Sequence, residues 1–308
     1  MASVDADTVS PVLPPELEQI IFEATALSWP RSILQLMLVA WRVKSWVELL
    51  LYRTIIVGSR LDNLCDKPDS ETRPFPIPYQ NLLSLIQSNY SPCFRSSVRN
   101  LYLAHTDPAE EASILAACRG IENIWLAARS SCTVLEIRFD RPVKRLHATL
   151  EVIFGKSQPC PIDFAHPVFA SMTHLEIFDA PHDGFDLAVW TALTRLPHLT
   201  HLALGSAAYL PMCGALLPTW EHLRVLVILF SQHVGLDAGL LTEHNVSELA
   251  DEPRLVLMVC SEYLEDWIKG AHTSCDDYWA QAEDHIARRK SGKVDLRDCY
   301  VPYTDESG

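Results

Sequence analysis

One phrase recurs through the middle of this 308-residue chain and limits its possible folds more than any other feature. It appears as Val98-x-x-Leu101-x-Leu103, Ile121-x-x-Ile124-x-Leu126, Val143-x-x-Leu146-x-Ala148, Met172-x-x-Leu175-x-Ile177, Leu199-x-x-Leu202-x-Leu204 and Leu223-x-x-Leu226-x-Ile228. The middle positions step by 23, 22, 29, 27 and 24 residues, the length range of a leucine-rich repeat. Leu255-x-Leu257-x-Val259 reads as a weaker seventh copy. The alternation inside each copy is that of a strand with one buried face, and no copy can bury that face alone. The copies are therefore expected to stack side by side in a curved parallel sheet with helices or irregular turns behind, an α/β solenoid. Thr54 to Val57 reads as one more strand of the same kind.

The connections fit this scheme. Asp107-Pro108-Ala109-Glu110 has a cap, a proline at the first helical position and a glutamate at the capping-box position, and Gly120 closes the segment. Asp186 stands where it would cap a helix over Leu187 to Leu196. The asparagine or cysteine that regularises such repeats after each strand is missing, with Thr106, Arg129, Ala180, Ala207 and Ser231 near that place, so uneven repeats are expected. If the leucines face the core, the alternating neighbours face the other way. Tyr102, Trp125, His147, Glu176 and His201 would then line a concave face able to receive a substrate protein, with Tyr102 beside Trp125 as an aromatic anchor. The alternative is that the N-terminal helices or the C-terminal segment cover these residues.

The N-terminal region has a different period. Pro14 and Pro15 open a helix, and Glu16 follows in its first turn, where the dipole favours an anion. Leu17, Ile20, Ile21 and Ala24 recur at the spacing of one helical face, read as the buried stripe, while Phe22 projects about 140° away from Leu17. After Ser28-Trp29-Pro30, every residue from Ile33 to Trp41 is apolar except Gln35. So oily a pair of helices needs cover from the rest of the chain or from another protein.

Leu13-Pro14-Pro15-Glu16-Leu17, then Ile20-Ile21-Phe22, then Leu36, Val39, Ala40, Arg42 and Trp46, in that order, resemble an F-box. The closing Trp46 to Ile55 run is similar to F-box-like proteins abundant in mushroom-forming fungi, and Tyr278-Trp279 and Arg288-Arg289-Lys290 extend the likeness toward the end of the chain. The resemblance implies a non-catalytic substrate adaptor of a Skp-cullin-F-box type ubiquitin ligase. Leu13, Pro14, Leu17, Ile20, Ile21, Phe22, Leu36, Val39 and Trp46 would contact a Skp-type linker protein or support the contact, and a cullin-RING ligase would follow through the linker. Trp41 and Val43 depart from the pattern, standing where many F-boxes carry polar or cysteine residues. The competing reading is a repeat-based interaction scaffold whose N-terminal helices only cap the solenoid.

Charge and motif content narrow the classes further. With 25 basic and 39 acidic residues, a net charge of −14 argues against a nucleic-acid surface. No cationic, hydrophobic leader opens the sequence, and Arg42, Lys44, Glu48 and Arg53 interrupt the nearest approach to a membrane span, so an intracellular protein without membrane contact is expected. Nine scattered cysteines without a C-x-x-C pair read as reduced thiols. No G-x-S-x-G, Gly-rich phosphate loop or H-E-x-x-H occurs, so neither an enzyme nor a cofactor is expected. His198-x-x-His201 lacks a third metal ligand nearby, and His272, Cys275 and Asp276 read as loop and cap residues rather than a nucleophilic set.

The resulting domain map is a disordered 1–11, a helical unit over 12–57, a loop over 58–78, the repeats over 79–262, a helical cap over 263–292 and a polar tail over 293–308. In the cap, Tyr263, Leu264, Trp267 and Ile268 share one face, and Trp279, Ala282 and Ile286 another, expected to seal the open end of the solenoid. The Arg288-Arg289-Lys290 run reads as cations offsetting a helix C-terminal dipole ahead of Gly292.

Overall fold

The computed structural model describes residues 13–58, 77, 79–88, 96–104, 108–126, 133–155, 162–180, 187–231, 249–260, 263–272 and 277–301. The expectations for 1–11, for most of the 58–78 loop, and for Asp107, Asp186, Cys275 and Asp276 lie outside them. The chain divides into two compact units, one running to Leu51 and one beginning at Tyr52.

The first unit is helical. It holds α1 (Pro15–Ser28), α2 (Ile33–Leu36) and α3 (Trp41–Val47), with single 3-10 turns at Pro30–Ser32 and Glu48–Tyr52. Pro15 is at the first position of α1, where its missing N–H is no loss. The apolar run expected to continue to Trp41 gives only the four residues of α2 before the chain turns and re-enters α3. The core is small: Ala26, Ile33, Val43 and Val47 are buried, with Phe22, Leu36, Met37 and Trp46 packed around them.

The second unit is α/β. Its nine strands are β1 (Thr54–Gly58), β2 (Asn100–Ala104), β3 (Asn123–Leu126), β4 (Arg145–Ala148), β5 (His174–Ile177), β6 (His201–Leu204), β7 (Val225–Ser231), β8 (Leu255–Cys260) and β9 (Tyr300–Val301). They form one sheet in the order of the sequence, each parallel to the last. The register carries the repeated phrase across the sheet without a slip. Ile55, Leu101, Ile124, Leu146, Leu175, Leu202, Leu226 and Leu255 form one row. Val57, Leu103, Leu126, Ala148, Ile177, Leu204, Ile228 and Leu257 form the next, and both rows are buried. Each such leucine withdrawn from water stabilises the fold by roughly 1.5–3 kcal/mol before entropy is subtracted, and a one-residue slip would turn the whole row outward.

Behind these rows lie α4 (Tyr79–Gln87), α5 (Pro108–Ala117), α6 (Leu150–Phe154), α7 (Leu187–Trp190) and α8 (Leu210–Leu216). The first residues of the phrase, among them Val98, Ile121, Val143, Met172, Leu199 and Leu223, are buried in the same cluster, as are the rings of Phe154, Phe164, Phe169, Trp190 and Tyr209. Thr149 caps α6 by accepting from the Val152 amide, and Gly155 ends it with φ 102°, a conformation few other residues adopt.

The C-terminal helices, α9 (Tyr263–Ala271) and α10 (Tyr278–Lys290), correct the sequence reading. They were expected to seal one end of the repeats; instead they lie on the second face of the sheet. Trp267 and Ile268 of α9 pack with Ile56, Tyr102 and Trp125. Tyr278, Trp279, Ala282 and Ile286 of α10 pack with Ala203, Val225, Val227, Val256 and Met258. A parallel sheet is thereby buried on both faces, the arrangement such sheets favour.

The segment read as a polar tail adds β9 at the edge, where Leu257 pairs with Tyr300 and Met258 with Val301. Arg289, read as one of three cations at a helix end, is buried. It donates to the carbonyls of Leu255 at 2.7 Å and Ala250 at 2.9 Å, and also to that of Leu296, so it fastens the turn after α10 to the chain leading into β8. Arg288 and Lys290 remain exposed, and Gly292 at φ 73° closes the helix. Among the described residues no helix is long and apolar enough to cross a membrane.

Candidate protein-docking site

In the helical unit, α1 and α3 are tied at two levels. The Glu18 carboxylate accepts from Arg42 Nε at 2.9 Å and Nη2 at 3.1 Å, a bidentate pair that holds the Glu18 carboxyl below its ordinary pKa. One turn on, the rings of Phe22 and Trp46 lie 6.4 Å apart. This sets which side of α1 faces in, and it reverses the expectation. Phe22 and Ala26 pack on the core, whereas Leu17, Ile20, Ile21 and Ala24 are exposed. The spacing identified a true stripe, but the stripe points to solvent.

Of the residues expected at the linker contact, Leu13, Pro14, Leu17, Ile20, Ile21 and Val39 are exposed. Phe22, Leu36 and Trp46 are half-buried and belong to the packing that supports the unit. The sequence reading missed Leu34, Leu38 and Trp41. Leu38 is 86% exposed and Trp41 80%, next to Val39 at 62% and Ile20 at 60%. The signal was present in the all-round apolar run of Ile33 to Trp41, which a four-residue helix cannot bury. Lys44 sits 5.1 Å over the Trp41 ring, so even that indole has one cationic neighbour.

The second unit treats its expected binding face in the opposite way. Tyr102 does stand beside Trp125, ring centroids 5.3 Å apart, and His147 stacks on the far side of Trp125 at 5.4 Å. All three lie under the C-terminal helices. Trp125, His147, Glu176 and His201 are buried and Tyr102 is half-buried. The open concave platform expected for a substrate is therefore closed by the chain itself.

Its polar groups are matched one by one to α9 and α10. Asn100 donates to the Ala271 carbonyl at 3.2 Å, and Asn123 accepts from Trp267 Nε1 at 3.2 Å. Arg145 meets Asp277 at 3.2 Å. The Glu176 carboxylate accepts from Tyr278 Oη at 2.8 Å and lies 2.6 Å from His147 Nδ1. His201 Nε2 meets Glu283 at 3.2 Å, and its ring stacks on His174 at 4.0 Å. His198 of the supposed metal pair is exposed, at the other end of the turn.

Burial sets the titration of this layer. Desolvation holds His174 far below the usual histidine range, helped by His201, Arg145 and His147 nearby. His201 is lowered for the same first reason, with Glu283 acting against it. The Asp266 carboxyl, which accepts from the Tyr278 amide at 2.8 Å, is pushed up to about 7, chiefly by burial.

No protein-family model, curated protein or solved structure matches the chain. The functional reading therefore stands on the geometry alone: a closed sheet unit, and a helical unit with a bare apolar surface.

Proposed function

We propose that the chain is a non-catalytic adaptor whose helical unit, an F-box-like hairpin, docks on a Skp-type linker protein, and whose second unit, an irregular leucine-rich-repeat-like solenoid, presents a substrate protein for ubiquitin transfer by other subunits. One observation carries the reading. Leu17, Ile20 and Ile21 of α1, together with Leu34, Leu38, Val39 and Trp41, are exposed on a unit of about forty residues whose own core holds only four buried apolar side chains. Surface of that kind marks a contact for another macromolecule, and aromatic and aliphatic anchors of this type supply most of the energy of such contacts. The ordered L-P-x-E-L and I-F motif agrees with a linker protein as the occupant.

The test is co-precipitation of the full chain with a Skp-type linker. Trp41→Ala combined with Leu38→Asp should abolish capture while leaving circular dichroism unchanged. Capture by this variant at the level of the parent chain would sink the proposal. A capping role for the helices is read separately by deleting the residues up to Leu51, short of β1: an adaptor leaves a soluble sheet unit, and a cap leaves an aggregating one.

A further inference from the structure

A second surface stands out by charge. The residues just before the first four strands are Arg53, Arg99, Glu122 and Lys144, and they stack as adjacent rungs. The Arg53 carbonyl accepts from the amides of Arg99 and Asn100, the Arg99 carbonyl from those of Glu122 and Asn123, and the Glu122 carbonyl from those of Lys144 and Arg145. Arg141 joins them from the preceding turn. Glu122 is held by Lys144 Nζ at 2.7 Å, Arg141 Nη1 at 3.2 Å and Arg99 Nε at 3.5 Å. Even with Asp140, the sequence neighbour of Arg141, counted in, four cations share two carboxylates.

Like charges on adjacent rungs destabilise a sheet. Here Arg53 and Arg141 both press on the Arg99 guanidinium, which burial has already deprived of water and which is lowered from its ordinary pKa for those reasons. Arg99 is fixed in place by donating to the carbonyls of Val98 at 3.1 Å and Gly120 at 3.3 Å. Arg141 and Lys144 remain exposed. A positive patch, partly preformed, thus stands on a chain whose net charge is −14. Fold stability does not account for it; an anionic ligand does.

We propose that this edge of the sheet binds an extended protein segment bearing clustered anionic oxygens, supplied by carboxylates or by phosphorylated side chains. Four rungs at roughly 4.8 Å spacing cover about 14 Å, the length of four or five residues in extended form. The net negative charge repels a long polyanion from beyond the patch, so a short acidic stretch suits it better than a nucleic acid. That the segment belongs to the protein handed on for ubiquitin transfer rests on the adaptor reading; the binding itself does not.

Fluorescence anisotropy on the full chain tests it with four short labelled probes: a Glu/Asp-rich peptide, the same peptide with phosphoserines in place of the acids, a neutral Gln/Ser version and a single-stranded RNA. At least one anionic peptide is expected to bind about tenfold or more tightly than the neutral one, and which of the two does so identifies the source of the charge. Arg141→Glu with Lys144→Glu should weaken that binding by about tenfold or more, and the milder Arg141→Gln with Lys144→Gln by less, with linker capture unchanged in both. Equal binding of the neutral peptide, undiminished binding by the double charge reversal, or tighter binding of the RNA than of either anionic peptide would overturn the proposal. Loss of linker capture in the parent chain with peptide binding intact would count against the adaptor reading alone.

Discussion

In the sheet unit, Leu101, Leu146, Leu175, Leu202 and Leu226 occupy one row and are buried to the last atom or nearly so. In the helical unit, Leu17, Ile20 and Ile21 also share one face, at a spacing just as regular, and stand in solvent. The same class of side chain in an equally clear period meets opposite fates. Periodicity fixes which residues lie together, while the number of partners decides whether that face is inside. A strand of the sheet has neighbours in identical register on both sides, so its leucines are enclosed collectively. Helix α1 has one main neighbour, α3, and Phe22 and Ala26 already occupy that contact.

The sharpest way to break this contrast is a truncation in the shared row. Leu202→Ala is expected to lower the unfolding free energy by about 2–5 kcal/mol in urea melts, because neighbouring rungs cannot relax into the gap. A loss below 1 kcal/mol, again roughly, would mean the row is not the close-packed spine described. Next in size is Tyr278→Phe, which leaves the buried Glu176 carboxylate without the phenol that donates to it at 2.8 Å. A cost of about 1–3 kcal/mol is expected; no change would show that the polar matching under α10 is incidental.

The pH dependence sharpens the comparison further, because the titrating groups with large shifts belong to the sheet unit. The His174 pKa is depressed by folding, so unfolded chains take up the proton first, and stability falls as pH drops below about 6.5. Asp266 is raised to about 7, so the native state holds its proton longer than the unfolded one, and stability falls as pH rises from about 4 toward 7. Each slope is at most about 1.4 kcal/mol per pH unit. His174→Phe should flatten the acid side of the stability profile and Asp266→Asn the neutral side. A profile unmoved by either substitution would contradict the burial of these groups. The smallest effect belongs to the helical unit: Ile20→Ala should shift the melt by no more than about 0.5 kcal/mol, as for an exposed side chain. A core-sized loss would show that its stripe is covered.

Much of the second unit was legible because six copies of one phrase reinforce each other, and the strand at Thr54–Gly58 follows the same rule with Ile55 aligned to Leu101. The closure of the second face was harder to read. Tyr102, Trp125 and His147 have the composition of an interface, and they do form one, with Tyr263, Trp267 and Tyr278 of the same chain. Sequence pattern distinguishes a face that needs a partner from one that does not, but it cannot show that the partner is attached. The inward turn of Phe22 was illegible for a related reason: it depends on Trp46 and the Glu18–Arg42 pair, contacts across a helix interface that no single helical period encodes.

The position of α10 on the sheet has a consequence for biosynthesis. Strands β1 to β8 leave the ribosome before Tyr278 and Trp279 do, so the surface those rings later cover stays wet and adhesive until nearly the whole chain has been made. A premature stop anywhere before residue 278 would release a sheet with its ringed side uncovered, a natural client for chaperones and a seed for aggregation.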